Sequence, residues 1–228
     1  MFMRFDRYFV ILLYCFLIEN GLPQNSVMDI LQDKKGFMWF STWDGLCYFD
    51  GYDFETIEIP NRNDLISKSS RIDSIYEDSY GNIWAHFYDK YVLRYNPSEK
   101  SFKDLRDVGG LDYLNFDVSK LKLKENGEVW LLSDDAGCVC IQDSTFSSKL
   151  YNVANGTLIN DSVYDIFRDS KFSTWILTNE GVVQLDKFKN IRIFFNQKSS
   201  IMPKESFSIY CANEIENERW FGGDNGVI

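Results

Sequence analysis

Ser26-Val27-Met28-Asp29-Ile30-Leu31-Gln32-Asp33-Lys34-Lys35-Gly36-Phe37-Met38-Trp39-Phe40-Ser41-Thr42-Trp43-Asp44-Gly45-Leu46 is the stretch on which the fold turns. It reads as a strand, a polar turn, a second strand and a Gly-containing turn into a third. Val27, and then Ile30 with a flip near the turn, suit a half-buried strand. Asp33-Lys34-Lys35-Gly36 supplies a glycine that accepts the left-handed conformation a hairpin needs, and Trp39 supplies a large inward anchor.

Moving outward, the same pattern returns. Trp39, Trp84, Trp130, Trp175 and Trp220 follow one another at intervals of 45, 46, 45 and 45 residues, and of the six tryptophans only Trp43 lies outside the ladder. The turn glycine stands three residues before the tryptophan as Gly36, Gly81 and Gly127. In the fourth unit Phe172 takes its place, so a different turn is expected there; in the fifth, Asn217 does, a residue that tolerates positive φ. After each tryptophan come a second turn and a short third strand: Leu46–Phe49, Tyr91–Tyr95, Val139–Ile141 and Val182–Leu185. Lys90 stands where a glycine is expected in the second unit, whose turn is therefore the least regular. Variable stretches such as 54–59 and 191–195 are left to provide fourth strands.

Four short strands in about 45 residues is the size of a β-propeller blade. A periodicity of two, with Gly and Asn turns breaking in every ten residues or so, disfavours helical repeats of similar length. The expected fold is all-β: blades of four antiparallel strands, about five repeats, forming an incomplete ring. The units fall near 21–65, 66–110, 111–155, 156–200 and 201–228, behind an N-terminal hydrophobic segment at 1–20. With roughly 4.6 units, the ring closes only if strands from the two ends share a blade.

Composition narrows the partners. A chain of 228 residues with 45% hydrophobic content can bury a substantial core, while a net charge of -10 repels phosphate backbones, so no nucleic-acid partner is expected. An anionic membrane surface is disfavoured on the same ground. Arg4 and Arg7 flank an uncharged apolar run, Tyr8–Ile18, too short to span a bilayer comfortably and suited to the h-region of a secretory signal. Without an Ala-x-Ala site after it, uncleaved anchoring or packing as a first strand stays open. Cys15 follows the bulky Tyr14, which speaks against a lipoprotein attachment site. Cys47, Cys138, Cys140 and Cys211 have no metal-ligand spacing, and Cys138 and Cys140 would share one strand face as small buried hydrophobes. No metal or cofactor is expected.

The pattern Val-x-x-Ile-x-x-Asp-x-x-Gly-x-x-Trp-x-x-Thr-x-x-Gly-Leu, carried by Val27 through Leu46, resembles the two-component regulator propeller repeat. Gly21-Leu22-Pro23-Gln24-Asn25-Ser26-Val27 and Phe49-Asp50-Gly51-Tyr52 are similar to the start of periplasmic sensor regions in Bacteroidetes hybrid two-component systems. That resemblance implies a periplasmic sensor that binds a glycan fragment and controls a kinase. Such sensors have more blades and then catalytic domains that are not in this chain. The expectation is therefore a fragment whose partners are an oligosaccharide ligand, the remainder of a sensor kinase, and a second copy in a homodimer.

Regular placement inside strands makes Trp39, Trp84, Trp130, Trp175 and Trp220 structural core anchors rather than a sugar-stacking platform. Trp43 is out of register, in the loop before Gly45, where an exposed ring could stack on a sugar; His86 and Tyr88 occupy the matching stretch of the second unit, and these three are the ligand-binding candidates. Asp33, Asp78 and Asp169 recur with the repeat as turn formers, and Asp134-Asp135 reads as a solvated turn rather than a calcium site. No catalytic residue stands out, and a non-enzyme is expected. The alternatives are a complete five-bladed glycan-active hydrolase or lyase, which needs converging carboxylates, and a structural protein-interaction propeller.

Overall fold

The computed structural model describes residues 18–59, 69–104, 116–123, 127–142, 145, 147–196, 208–224 and 226–227. Cys15 and most of the apolar run Tyr8–Ile18 lie outside them. Nineteen strands among the described residues form five separate antiparallel sheets, each in chain order from its inner to its outer strand.

The first blade is β1 (Val27–Gln32), β2 (Met38–Thr42), β3 (Gly45–Phe49) and β4 (Phe54–Ile57). The second is β5 (Ile72–Glu77), β6 (Ile83–Phe87), β7 (Val92–Asn96) and β8 (Ser101–Asp104). In the third come β9 (Lys120–Leu123), β10 (Glu128–Leu132), β11 (Cys138–Gln142) and β12 (Ser148–Tyr151). The fourth holds β13 (Val163–Arg168), β14 (Thr174–Thr178), β15 (Gly181–Leu185) and β16 (Ile191–Asn196). The fifth shows β17 (Ile209–Ile215), β18 (Glu218–Gly223) and a two-residue β19 (Gly226–Val227). First strands of successive blades pack together, β1 on β5, β9 on β13 and β13 on β17, so they lie nearest the common axis. The architecture is that of a β-propeller, and the hydrophobic clusters of the described residues join only consecutive blades.

Packing between blades explains the tryptophan ladder. Trp39 is buried under Ile75, Leu93 and Tyr95 of the second blade. Trp84 lies under Val129, Leu131 and Val139 of the third, Trp130 under Ile176, Val183 and Leu185 of the fourth, and Trp175 under Ile209 and Phe221 of the fifth. Trp220 departs from the expected anchor role. It is 45% exposed, because it lies on the face of the fifth blade that no further described sheet covers.

Each of these four buried indoles, Trp39, Trp84, Trp130 and Trp175, is also clamped by a carboxylate. Trp39 Nε1 donates to Asp33 at 2.9 Å, Trp84 Nε1 to Asp78 at 3.1 Å and Trp175 Nε1 to Asp169 at 2.9 Å. The other oxygen of each Asp accepts two backbone amides of its own turn, as Asp33 does from Lys35 and Phe37. In the third blade Glu128 does the job from within the strand, accepting Trp130 Nε1 at 3.2 Å. Cations close the clamp: Arg94 on Asp78, Lys189 of the fourth blade on Glu128, Arg219 of the fifth on Asp169.

Two expectations about local geometry are corrected. The reversal of facing in β1 comes from a bulge between Val27 and Asp29, not from the turn. The same shift recurs between Ile72 and Ser74, Val163 and Asp165, and Ile209 and Cys211. It lets residues three apart, Ile72 and Ile75 or Val163 and Ile166, both point into the core. The fourth blade's turn, moreover, is the same as the first: Phe172 N donates to Asp169 O at 3.0 Å as Gly36 N does to Asp33 O at 2.9 Å. Phe172 is forced to φ 64°, held there by Asp169 accepting from Lys171 and Ser173. The fifth blade has a tighter two-residue turn with Glu216 and Asn217 both at positive φ, the geometry favoured by strand twist.

Two substitutions test this account. Left-handed backbone costs a non-glycine residue about 1–2 kcal/mol, and glycine's extra unfolded-state freedom returns about half of that. Phe172→Gly should therefore raise the unfolding free energy by about 0.5–1 kcal/mol in urea denaturation. Asp169→Ala strips a buried carboxylate from the indole, two amides and Arg219, and should lower it by about 3 kcal/mol.

Candidate functional site

Antiparallel order sends all β2–β3-type loops and all connections between blades to one end of the molecule, here the loop end. The β1–β2 and β3–β4 hairpin turns go to the other, the turn end. Backbone bonds lock the loop end: Trp43 N to Ser26 O, Tyr88 N to Arg71 O, Asn179 N to Ser162 O and Asp224 N to Ser208 O. The bulges set one residue of four inner strands out of the ladder near this rim, namely Met28, Asp73, Tyr164 and Tyr210.

What gathers there is aromatic and polar. Trp43, 51% exposed, donates its indole N–H to Met28 Sδ at 3.1 Å. The Arg71 guanidinium carbon lies 5.5 Å from the Trp43 ring centre and 4.4 Å from that of Tyr88, which is 61% exposed. Asp73 takes Arg71 Nε at 2.6 Å and holds the stack in place. Farther along, Tyr164 and Tyr210 meet edge to face at 4.7 Å. Tyr164 donates to Asn179 at 3.2 Å and Tyr210 to Asp224 at 2.7 Å, the latter raising the Tyr210 pKa.

Of the three sequence candidates, the structure brings Trp43 and Tyr88 together through Arg71 and sets His86 apart. The His86 ring is partly buried between blades, donating Nε2–H to Val118 O at 2.8 Å. Burial is the main reason its pKa is lowered, against the opposing pull of that carbonyl, Asp73 and Asp89. Arg71 was not foreseen, because a lone Arg after a polar stretch carries no signal. The bulge residues and the ladder Asp44, Asp89, Asp134, Asn179 and Asp224, spaced 45 residues apart, could have been found from the repeat.

Asp134 pairs with Lys90 at 3.0 Å and Asp135 accepts from Ser133 Oγ at 3.0 Å. Cys138 and Cys140 are buried against the fourth blade, and burial pushes the thiols of Cys47 and Cys140 up to about 12, leaving them poor nucleophiles. Among the described residues no three His, Cys, Asp or Glu groups converge to hold a metal ion. An open cleft of about 550 Å³ lies between the fourth and fifth blades, beside Trp175, Gln184 and Arg219. It repeats the groove of about 80 Å³ beside Trp39, Tyr48 and Tyr95 between the first and second blades. Tyr95 of β7 lines that earlier groove.

A histidine whose folded pKa lies below its unfolded value, near 6.5, favours the folded state while neutral. That stability is present above the unfolded pKa and is lost as pH falls through the folded one. Unfolding midpoints should accordingly drop between pH 7 and pH 5, and His86→Gln, which keeps a donor for Val118 O, should remove that part of the drop.

Comparison with known proteins bears on the fold and on the first repeat. Residues 21–44 match the family described as two component regulator propeller. Histidine kinase P4 of Formosa agariphila is 56% identical over 36 residues, which are 16% of this chain and 3% of that protein. The extracellular domain of a hybrid two component system from B. thetaiotaomicron superposes on 94% of this chain and 30% of that one, with a TM-score of 0.63 and 22% identity. Virginiamycin B lyase from Staphylococcus aureus superposes on 89% of this chain and 69% of its own, with a TM-score of 0.56 and 13% identity. The chain thus spans under a third of the sensor domain's length. At these identities the structural likenesses establish the propeller fold, which sensors and a lyase share.

Proposed function

We propose that this chain, whose residues 21–44 are a two-component regulator propeller repeat, is a non-enzymatic ligand-sensing segment of a periplasmic two-component sensor. Residues 1–20 serve as its export or anchoring segment and residues from 21 onward as the repeat region. The ligand is an oligosaccharide, and the partner that receives the signal is the remainder of a sensor kinase. What supports the site is one observation: rings from two different repeats, Trp43 and Tyr88, flank a single guanidinium at the exposed loop end.

Such a surface suits sugars. Two aromatic faces offer stacking area at low entropic cost, and carboxylates at the rim accept hydroxyl hydrogen bonds. The groups that hold each repeat together are engaged inside the protein, which leaves the loops to do the recognising. Non-enzymatic sensing is favoured over hydrolysis or elimination by the match of residues 21–44 to a regulator propeller repeat.

Titration calorimetry against a panel of plant and microbial oligosaccharides tests the reading. A binding sugar is expected to lose at least about tenfold in affinity with Trp43→Ala and with Tyr88→Ala, a loss of about 1.4 kcal/mol or more, and to be recovered unchanged after incubation. Release of a cleaved product would instead establish the enzyme reading, and affinity untouched by both substitutions would remove the rim from consideration.

A further inference from the structure

The loop end carries a second pair of rings. Tyr164 and Tyr210, set out of the ladder by the bulges of β13 and β17, meet edge to face at 4.7 Å across the junction of the fourth and fifth blades. The first junction draws its rings, Trp43 and Tyr88, from the β2–β3 and β6–β7 loops, while its bulges hold Met28 and Asp73. At the fourth junction the two positions are exchanged: the bulges hold the rings, and the loop positions hold Asn179 and Asp224. In the third blade the corresponding loop carries Asp134, tied to Lys90 at 3.0 Å, in place of a ring.

Core packing does not account for the tyrosine pair. The cluster that closes the fourth junction is built from Trp175, Leu177, Val182, Ile209 and Phe221, and neither tyrosine belongs to it. Tyr210 is 43% exposed. Both phenols are held in place, Tyr164 by donating to Asn179 and Tyr210 by donating to Asp224, while Ser208 Oγ donates to the same Asn179 oxygen at 2.5 Å. A phenol that has donated its hydrogen still accepts from a ligand hydroxyl, and its ring offers an apolar face beside that oxygen.

Charge narrows the ligand. The described loops and bulges of the first two blades carry Asp44, Asp73 and Asp89 against Arg71, which pairs with Asp73, and Lys90, which pairs with Asp134. Hydrogen bonding to Asp134 raises the Lys90 pKa, and Asp117 and Asp135 add to it. Those of the fourth and fifth blades carry Asp161, Glu180 and Asp224, and the cation that reaches them is Lys120, bonded to the Tyr164 carbonyl at 2.9 Å. The connections at 60–68, 105–115 and 197–207 hold five cations and four anions, so the acidic excess stands. Such a surface repels uronates and sulfated sugars.

We propose that Tyr164 and Tyr210 form a second subsite for an uncharged oligosaccharide, one long enough to lie along the loop end from the first junction to the fourth. The inference rests on the reading of the rim as a sugar surface. Packed sheets stand about 10 Å apart, so three blade steps separate the ring pairs by about 30 Å or less, a span suited to several linked sugars. A chain that reaches both pairs makes its second contact intramolecularly and gains affinity from it.

Titration calorimetry of the full chain tests this with cello-, xylo- and manno-oligosaccharides from di- to octasaccharide, and with oligogalacturonates of the same lengths. In one neutral series affinity is expected to rise with length by about a hundredfold or more. Tyr210→Ala should cost the longest member at least about tenfold and leave the disaccharide unchanged, whereas Trp43→Ala weakens every length. Tyr210→Phe, which keeps the ring and loses the bond to Asp224, should lose only part of the gain, and urea denaturation shows that both Tyr210 variants are folded. Affinity independent of length, or an equal loss for short and long sugars in Tyr210→Ala, overturns the second subsite while leaving the first. Oligogalacturonates bound as tightly as the neutral series overturn the uncharged class. Binding of no sugar at any length removes the rim reading and this subsite with it.

Discussion

A carboxylate holding an indole N–H in the dark between two sheets is the interaction from which the rest of this structure follows. A propeller blade is too small to bury its own hydrophobic face, so each must be covered by its neighbour. Indole provides the area for that cover but brings a polar N–H that burial would leave unsatisfied. Asp33, Asp78 and Asp169 resolve this while folding the turn that precedes the strand, so one side chain joins local and long-range order. Buried carboxylates need compensation in turn, which Arg94 gives within its own blade and Arg219 gives from the next. Asp169 shows the balance: burial raises its pKa, but the indole, the Ser173 amide and Arg219 outweigh that and leave it lowered.

Neighbouring blades are registered by polar contacts of the same recurring kind. Glu77 of the second blade accepts Lys34 N of the first at 3.1 Å, and Glu214 of the fifth accepts Ser170 N of the fourth at 2.6 Å. Asp29 accepts Ile75 N at 3.0 Å across the first interface. Greasy surfaces alone would let sheets slide; directional bonds at the turn end fix the angle at which they meet. The bulge then acts at the opposite end. By adding one residue to the inner strand it preserves the inward hydrophobic pair and sets a spare side chain near the rim.

Sequence reading reached the architecture because the clamp is periodic. Tryptophan, aspartate and glycine at constant offsets are visible without coordinates, and they specified sheets, turns and strand order. It misjudged Trp220, whose burial depends on a sheet after it and not on its own surroundings. Glu128 went unnoticed because it substitutes for Asp from a different offset, two residues before the tryptophan instead of six. Phe172 misled by the opposite route: steric preference argued for a new turn, yet the Asp169 hydrogen bonds outweigh the left-handed penalty and impose the old one. At the rim, Trp43 was visible as a tryptophan out of register and Tyr88 by its place in the matching stretch of the second unit, while Arg71 and Asp73 acquire meaning only when two blades are set side by side.

The clamp also explains why the two ends of one sheet can carry unlike surfaces. Strand interiors are committed to the neighbouring blades, and the turn-end aspartates are committed to their own backbone, so neither is available for recognition. Freedom remains at the tips: side chains such as Trp43, Tyr88, Phe172 and Phe188 contribute little to the core and are exposed. Arg71 is the exception that connects them to the frame. It stacks on a ring from each of two blades while its backbone carbonyl accepts Tyr88 N and its guanidinium is held by Asp73. Displacing that guanidinium would disturb a contact spanning the first and second blades. Both ends are therefore mechanically joined to interfaces, the loop end through Arg71 and the turn end of the fourth blade through Glu214 on Ser170 and Lys189 on Glu128.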